Sequence, residues 1–141
     1  MEGGMKAAAV FRPALIAVAA GLAGCASVST TPASLEGTSW TVASIDGAAT
    51  PRTDAYRLEF RDGRIGGKFG CNGFSGPYSL AADTLTAGNV AATKMACPGP
   101  ADTFEREGFA VLAQPMHLQW QSGSRLTLNN SAGSIALERT P

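Results

Sequence analysis

Residues 116–138 read MHLQWQSGSRLTLNNSAGSIALE. In the first six, Met116, Leu118 and Trp120 alternate with polar residues, which is typical of a strand with one buried face. The turn-forming residues Ser-Gly-Ser and then Asn-Asn-Ser-Ala-Gly separate this segment from two further alternating segments. This stretch therefore predicts a three-stranded antiparallel meander and a fold that is mainly β. The three predicted strands are Met116–Gln121, Arg125–Leu128 and Ser134–Glu138.

The same alternation occurs earlier in the chain. Residues 56–61 read YRLEFR, with apolar and charged side chains in turn, and the turn signal Asp62-Gly63 follows them. Trp40, Val42 and Ile45 indicate a first strand. Short strands with turns at regular spacing predict a compact antiparallel barrel-like sheet. Further strands are predicted at Ile65–Phe69, Phe74–Leu80 and Thr84–Ala87, followed by an irregular stretch at Val90–Met95.

One segment has helical spacing instead. Asp102 and Glu105 fit a capping box, with Asp102 at the N-cap and Glu105 at the third helical position. Phe104, Val111 and Leu112 fall on one face of the helix that would follow. A helix of about ten residues is too short to be stable alone in water, so we expect this face to pack on the sheet.

Length and composition limit the function. The chain has 141 residues and a mass of 14.4 kDa, which is enough for one domain. Basic and acidic residues both number 11, which argues against a nucleic-acid binder because such proteins need an excess of clustered positive charge. One His and three Cys leave few groups for a metal site or a catalytic triad, so we predict no metal and no cofactor.

Residues 1–24 are predicted to be a lipoprotein signal peptide. Lys6 and Arg12 form a short basic region, and an uncharged apolar run at residues 14–24 follows. That run has the length of a signal-peptide core and is too short to span a bilayer. An acidic residue at position 2 is unusual in such a leader, so the start codon is either Met1 or Met5.

The leader ends in Leu22-Ala23-Gly24-Cys25, which resembles the bacterial lipobox. In a lipobox the Cys is lipidated and becomes the mature N-terminus, so we predict lipidation of Cys25. The alternative is an ordinary signal peptide with an incidental Cys. Residues 25–34 are small and polar and predict a flexible tether. Ala26 rather than Asp follows Cys25, which by resemblance to enterobacterial sorting implies an outer-membrane lipoprotein facing the periplasm.

Five motifs follow one another along the chain: Gly37-Thr38-Ser39-Trp40, Gly70-Cys71-Asn72-Gly73, Thr93-Lys94-Met95-Ala96-Cys97-Pro98, Glu105 within the helix, and Leu126-Thr127-Leu128. In this order they resemble the META domain family, which includes the bacterial heat-inducible lipoprotein HslJ. The resemblance covers about residues 35–139 and implies a β-rich fold with one helix, an envelope location and a structural role for Trp40, Asn72, Gly73, Thr93 and Met95. Lys94 departs from the family pattern, which commonly has Arg there. The resemblance implies no chemical activity.

Cys71 and Cys97 are the two thiols that remain once Cys25 is lipidated. In an oxidising periplasm two such residues predict a disulfide, whereas the alternative is a reactive or metal-binding pair. Neither a Cys-x-x-Cys spacing nor a cluster of His supports that alternative. Asn72 precedes Gly73, and an Asn at this point is expected to tolerate a left-handed backbone conformation.

His117 alternates with apolar neighbours, so we predict that it lies on the surface. Catalysis by a triad would require a carboxylate or a Ser to converge on this imidazole. We therefore predict a non-enzymatic, lipid-anchored cell-envelope protein, an envelope-stress or assembly accessory resembling HslJ. The alternative is a binding module that holds a small apolar ligand or the tail of a partner. We expect a monomer that contacts the membrane through its lipid, with an envelope protein as partner and no nucleic acid.

Overall fold

The computed structural model describes residues 3–4 and 34–141. The prediction of a leader, the lipidation of Cys25 and most of the predicted tether fall outside these residues. Within residues 34–141 the chain forms ten strands and one helix. In chain order they are β1 (Thr38–Ile45), β2 (Ala48–Ala49), β3 (Tyr56–Arg61), β4 (Arg64–Phe69), β5 (Gly73–Ala81), β6 (Thr84–Ala87), β7 (Ala91–Ala92), α1 (Pro100–Leu112), β8 (Met116–Ser122), β9 (Arg125–Asn130) and β10 (Gly133–Arg139).

Eight strands close into an antiparallel barrel. Their order is β1-β3-β4-β5-β6-β8-β9-β10, and pairing of β10 with β1 completes the ring. The two shortest strands lie outside this ring, with β2 on β1 and β7 on β5. The prediction of a mainly β, barrel-like antiparallel sheet with one packed helix is confirmed.

Asp-Gly pairs form tight turns, as predicted for Asp62-Gly63. Asp62 and Gly63 join β3 to β4 with positive φ angles of 54° and 69°. Asp46 and Gly47 have the same combination after β1, with φ angles of 49° and 78°. These angles suit the right-handed twist of the flanking strands, which is why Asp-Gly favours a two-residue hairpin.

Neighbouring strands of the barrel differ in the number of residues that they pair. Strand β6 pairs with β8 at only two positions, Thr84 with His117 and Leu85 with Met116. By contrast, the β3–β4 ladder contains six residue pairs. The β6–β8 side is therefore held by the fewest main-chain hydrogen bonds of the ring.

The barrel interior is filled by large side chains. Trp40, Phe60 and Phe69 are fully buried, and the alternating positions of β1 and β3 point inwards as predicted. The core runs from Leu35 to Leu137, so residues 34–141 contain a complete hydrophobic core of their own.

Helix α1 packs at one end of the barrel. Aromatic side chains of the helix pack edge-on against Tyr56 at the start of β3 and against Phe69 at the end of β4. The predicted apolar face is confirmed, because Phe104, Val111 and Leu112 are buried together with Gly108. A Cβ atom at Gly108 would lie 2.5 Å from Cδ2 of Phe69, so the helix approaches the barrel closely at this residue.

The predicted capping box is wrong. The helix begins at Pro100 with Gly99 at the N-cap, and no side chain caps it. Pro100 lacks an N–H to leave unsatisfied and has a φ angle suited to the first helical turn, so it starts the helix two residues before Asp102. Asp102 lies in the first turn and pairs with Arg106, and Glu105 is free for another role.

Candidate functional site

The predicted motif residues meet around the side chain of Asn72, which is 1% exposed. Its Nδ2 donates to the carbonyl oxygen of Met95 at 3.0 Å and to Oε1 of Glu105. Its Oδ1 accepts from the N–H of Met95 at 2.7 Å and from Oγ1 of Thr93 at 2.9 Å. All four hydrogen-bonding positions of the carboxamide are therefore used. We call Asn72, Gly73, Thr93, Met95 and Glu105 the Asn72 cluster.

Thr93 and Gly73 join the turn after β4 to the segment before the helix. Besides donating to Asn72, Thr93 Oγ1 accepts from the N–H of Gly73 at 3.2 Å. The N–H of Thr93 donates in turn to the carbonyl oxygen of Gly73 at 3.0 Å. The two segments are thus fixed in register although 20 residues separate them.

Glu105 lies in α1 and connects the helix to the other residues of the Asn72 cluster. Its Oε2 accepts from the backbone N–H of Asn72 at 3.1 Å, and its Oε1 accepts from Nδ2 of the same residue. A charged acceptor makes stronger hydrogen bonds than a neutral one, so this contact ties α1 to the end of β4. The sequence predicted a local capping role for Glu105, whereas its partner is 33 residues away.

The left-handed conformation expected of Asn72 is also wrong. Among the described residues, the non-glycine residues with positive φ are Asp46, Asp62 and Ala82. The side chain of Asn72 is used for long-range hydrogen bonds rather than for a local turn. The residues next to Asn72 in the sequence do not indicate this role, because its hydrogen-bond partners are remote in sequence.

A disulfide joins Cys71 to Cys97, with the Cα atoms 5.8 Å apart. The prediction of this bond is confirmed. Cys71 is adjacent to Asn72, and Cys97 lies two residues beyond Met95, so the disulfide and the Asn72 cluster fasten the same two segments. Because the sulfur atoms are bonded to each other, neither is a free thiolate that could ligate a metal or attack a substrate.

Trp40 lies inside the barrel and is fully buried. Its Nε1 donates to Oγ1 of Thr38 at 2.7 Å, and its ring packs edge-on against Trp120 at 5.8 Å. The hydroxyl of Thr38 donates to the carbonyl oxygen of Leu35. Trp40 therefore secures the entry of the chain into the fold and presents no surface to a ligand.

Met95 is different from the other motif residues because its side chain is 59% exposed. Its main chain is held on both sides by the carboxamide of Asn72. Lys94 and Ala96 beside it are also exposed. The cluster thus holds the main chain of Met95 in place while its apolar side chain is exposed to solvent.

A cavity of about 390 Å³ lies between the C-terminal half of α1 and the segment that links β6 to β7. It is a half-open cleft, and its wall is formed by small and apolar side chains together with polar main-chain atoms and Asn89. Its volume is within the range of small-molecule sites. The lining residues are Ala87, Gly88, Asn89, Val90, Ala92, Phe109, Leu112 and Ala113.

His117 is exposed, as predicted, but it has a partner. Its Nδ1 lies 3.1 Å from Oδ2 of Asp83, and the side chains of the two residues are 53% and 62% exposed. An imidazole oriented by a carboxylate supplies two of the three groups of a catalytic triad, and the third is a nucleophile. Among the hydrogen bonds of the described residues, none joins a hydroxyl or thiol to this imidazole, so the pair lacks a nucleophile there.

Glu36 forms a contact that the sequence did not predict. Its carboxylate accepts from the hydroxyl of Tyr78 at 2.8 Å and from the N–H groups of Asp62 and Gly63. The Tyr78 hydrogen bond lowers the pKa of Glu36. Burial, together with the Glu36 carboxylate, raises the pKa of Tyr78 to about 12. The only sequence signal is the position of Glu36 directly before the Gly-Thr-Ser-Trp motif.

Other kinds of site are not seen in the part of the chain that the structure describes. There, no three His, Cys, Asp or Glu side chains are grouped so that they could hold a metal ion. No helix within residues 34–141 has the length and apolar character needed to cross a membrane.

Comparison with known proteins places the chain in a family. No curated protein matches it. Two solved NMR structures share its fold. One is 22% identical, with a TM-score of 0.63, and the match covers 72% of this chain and 87% of that one. The other, from Burkholderia xenovorans, is 23% identical with a TM-score of 0.59 and coverages of 75% and 83%. The META domain matches residues 33–140, and the chain therefore belongs to the META domain family.

Proposed function

We propose that this META domain protein is exported and held at the cell envelope by lipid on Cys25. The observation that carries the proposal is the sequence Leu22-Ala23-Gly24-Cys25 at the end of a short basic and apolar leader. Several acyl chains on one Cys would anchor the protein stably, whereas a single chain binds only marginally. The Cys71–Cys97 disulfide supports export, because structural disulfides form in oxidising compartments.

Within the envelope we propose a non-enzymatic role as a stress or assembly accessory, like HslJ. In support, every hydrogen-bonding position of the Asn72 carboxamide is occupied within the protein, and the disulfide consumes both thiols of the motif. Such a cluster fixes a surface and leaves no group free to react. The exposed Met95 on its rigid backbone is the point at which we expect a partner protein to be contacted.

Metabolic labelling with a fatty acid tests the lipid anchor. Cys25→Ala should abolish labelling and release the protein from membranes. The double variant Cys71→Ser/Cys97→Ser is the matched control, since it also removes Cys residues but should keep the label. Labelling that is unchanged in Cys25→Ala would refute the assignment.

The membrane to which the protein is sorted can be tested separately. We propose the outer membrane, facing the periplasm, because Ala26 rather than Asp follows Cys25. In an enterobacterial host, Ala26→Asp should move the protein to the inner-membrane fraction on a density gradient. Ala26→Ser is the control that should stay in the outer membrane. Inner-membrane location of the unaltered protein would contradict this step alone.

The cavity beside α1 favours a second candidate, a binding module for a small apolar ligand. Decanoate is a suitable probe because its chain is apolar and its size suits a cavity of about 390 Å³. Ala113→Trp would fill the cavity from its rim and should remove decanoate-induced NMR shifts at Phe109 and Leu112. Ala110→Trp, on an exposed part of the same helix, should leave them. If decanoate causes no shifts in the unaltered protein, this candidate is wrong.

A further inference from the structure

The outer face of the β3–β4 hairpin carries an unusual arrangement of charge. Arg57 lies directly opposite Lys68, and Arg61 lies directly opposite Arg64. Both cross-strand pairs join two cations, and Arg57, Arg61 and Arg64 are exposed. We call these four residues the basic hairpin face. Like charges opposite each other in an antiparallel pair are destabilising, so this arrangement costs the fold stability.

Neighbouring groups neutralise this charge only in part. None of the four cations forms an ion pair within 4.0 Å among the described residues, where the ion pairs involve Arg52, Arg106, His117 and Arg125. On the strands themselves the outward positions supply one carboxylate, that of Glu59. The adjoining outward positions of β1 and β5 carry no charge, and they are Ser39, Thr41, Gly73, Ser75 and Pro77.

The contrast with the rest of the protein is large. Nine basic and ten acidic residues follow Cys25, so the molecule beyond this face has an excess of negative charge. Three carboxylates flank the face at its ends: Asp54 before β3, Asp62 in the turn, and Glu36, which accepts hydrogen bonds from that turn beside Arg61. Four cations are thus grouped on one outer face of a nearly neutral protein, with one carboxylate within the face and the others at its ends. Exposed guanidinium groups in this arrangement can meet an anionic surface that covers the middle of the face.

The point at which the chain enters the folded domain indicates which anion this face meets. The carboxylate of Glu36 accepts hydrogen bonds from the N–H groups of Asp62 and Gly63 in the hairpin turn. The chain that leads from Cys25 therefore enters the fold beside Arg61 and Arg64. Ten residues separate Cys25 from Glu36, and that length of chain reaches at most about 35 Å, so a lipid on Cys25 would keep this face near the bilayer.

We propose that the basic hairpin face lies on the anionic phospholipid headgroups of the membrane to which Cys25 is anchored. The choice of membrane as partner rests on the proposed lipid anchor, whereas the charge pattern stands independently of it. Guanidinium groups suit this role because they bind phosphate oxygens in a bidentate manner. A short tether also keeps the face at a high effective concentration near the bilayer, so weak binding by the face is sufficient to orient the domain.

Vesicle sedimentation with a chain that carries no lipid tests the face alone. Residues 26–141 contain the complete core, so this chain keeps the fold without depending on the anchor. It should sediment with vesicles containing phosphatidylglycerol and not with pure phosphatidylcholine, and added salt should release it. Each Lys or Arg near an anionic bilayer changes binding about fivefold, so Arg61→Gln/Arg64→Gln should weaken binding about 25-fold.

A matched double variant separates the face from net charge. Arg106→Gln/Arg125→Gln makes the same change in net charge at two exposed arginines outside the hairpin, and it should weaken binding less than threefold. Equal losses in the two variants would overturn the proposal, because binding would then follow net charge. Failure of the unaltered chain to bind phosphatidylglycerol, or binding to soluble polyglutamate in preference to vesicles, would also overturn it.

The same experiments distinguish this proposal from the proposed lipid anchor. If Cys25 is not acylated but residues 26–141 bind anionic vesicles through Arg61 and Arg64, the anchor is wrong and the basic hairpin face stands. If Cys25 is acylated but the two double variants bind vesicles equally, the anchor stands and the face is wrong. Thermal unfolding controls for the fold, because Arg64 also donates two hydrogen bonds to Oγ of Ser75. Arg61→Gln/Arg64→Gln should still unfold in one cooperative transition.

Discussion

Asn72 connects two segments by contacts that only an amide can make. It donates twice and accepts twice through one side chain, and each partner is itself fixed in the fold. A carboxylate has the same shape but no donor. The chemistry of the position therefore explains why the residue must be Asn, in a way that its size does not.

Asn72→Asp should destabilise the protein by about 3 kcal/mol or more. The variant loses both Nδ2 hydrogen bonds and places a second carboxylate against Glu105 in a buried site. Urea unfolding measures the loss. Asn89→Asp, at an exposed position, should cost less than about 0.5 kcal/mol.

A compensating change tests the cause. In Asn72→Asp/Glu105→Gln the Gln amide can donate to the new carboxylate, so the double variant should regain at least about 1 kcal/mol relative to the sum of the single changes. Additive losses would show that Asn72 and Glu105 do not interact energetically.

Glu36 and Tyr78 predict how stability depends on pH at both extremes. The lowered pKa of Glu36 favours the folded state above the ordinary Glu pKa, and this contribution is lost as the pH falls through the lowered value. The Tyr78 pKa is raised to about 12, so its contribution is complete below the ordinary Tyr pKa of about 10 and is lost as the pH rises towards 12.

Urea unfolding across the pH range measures both effects. Glu36→Gln should flatten the acid side of the stability curve, and Tyr78→Phe should flatten the alkaline side. Asp54→Asn, at an exposed carboxylate without a hydrogen bond to Tyr78, is the control for the acid side. A Tyr78→Phe curve that still falls between pH 10 and 12 as steeply as that of the unaltered protein would contradict the assignment.

Some residue roles were predicted correctly and others were not, because a short sequence pattern indicates only contacts between residues that are close in sequence. The disulfide was predicted from the number of Cys and the compartment, and neither depends on the path of the chain. Glu105 was assigned to a capping box because Asp102 stands three residues before it, but Pro100 starts the helix earlier and frees that carboxylate for Asn72. No sequence rule predicts a hydrogen bond across 33 residues.

At the scale of elements, the longer strands were predicted well. Apolar and polar residues alternate in them because one face of each strand is buried and the other is exposed. β6 was predicted with its observed bounds, and β4 and β5 differ from the prediction by one residue at one or both ends. The strands β2 and β7 have two residues each, which is too short for a period to be visible. The helix was predicted from its apolar face, and only its start was wrong.

Gly108 provides a test of how closely the helix packs on the barrel. Ala has the higher helix propensity by about 1 kcal/mol, so Gly108→Ala would stabilise an isolated helix. In the protein the new Cβ would lie 2.5 Å from the ring of Phe69, which is fully buried and packs against Phe74 and Phe109, so these rings would have to shift. Gly108→Ala should therefore destabilise the protein by about 1–3 kcal/mol in urea unfolding.

The control for this prediction lies on the opposite side of the helix. Ala110 is exposed, and Ala110→Gly should cost about 1 kcal/mol from propensity alone. A double variant that exchanges the two residues should show both losses. Stabilisation by Gly108→Ala would mean that the contact between α1 and Phe69 is looser than the structure shows.

At the scale of the whole molecule, the barrel closes through one strand pair, β6 and β8, that is joined at only two positions. Strands β5, β6 and β7 all lie in the loop that the Cys71–Cys97 disulfide closes, and β6 makes the two-residue contact with β8. The bond thus restrains the part of the barrel that main-chain pairing holds least. The barrel-like closure was predicted from the number and spacing of strands, but this inequality between its sides was not, because it depends on register.

Loss of the disulfide should therefore lower stability without changing the fold. The loop spans 26 residues, for which the chain-entropy estimate is about 3.5 kcal/mol. For a domain of this size, Cys71→Ser/Cys97→Ser should lower the Tm by about 10 °C or more, while circular dichroism at low temperature stays native. The fold persists because the Asn72 cluster still joins the two segments through hydrogen bonds that involve no sulfur.

Hydrogen exchange locates the effect. Amides of β5 and β6 should lose more protection in the double variant than those of β9 and β10, because the former pair lies within the loop and the latter lies outside it. Ser79→Ala, an exposed change inside the same loop, should alter neither the Tm nor the exchange pattern. Uniform loss of protection throughout the barrel would show that the disulfide acts only on global unfolding, and two free thiols in protein isolated from the periplasm would show that the bond does not form there.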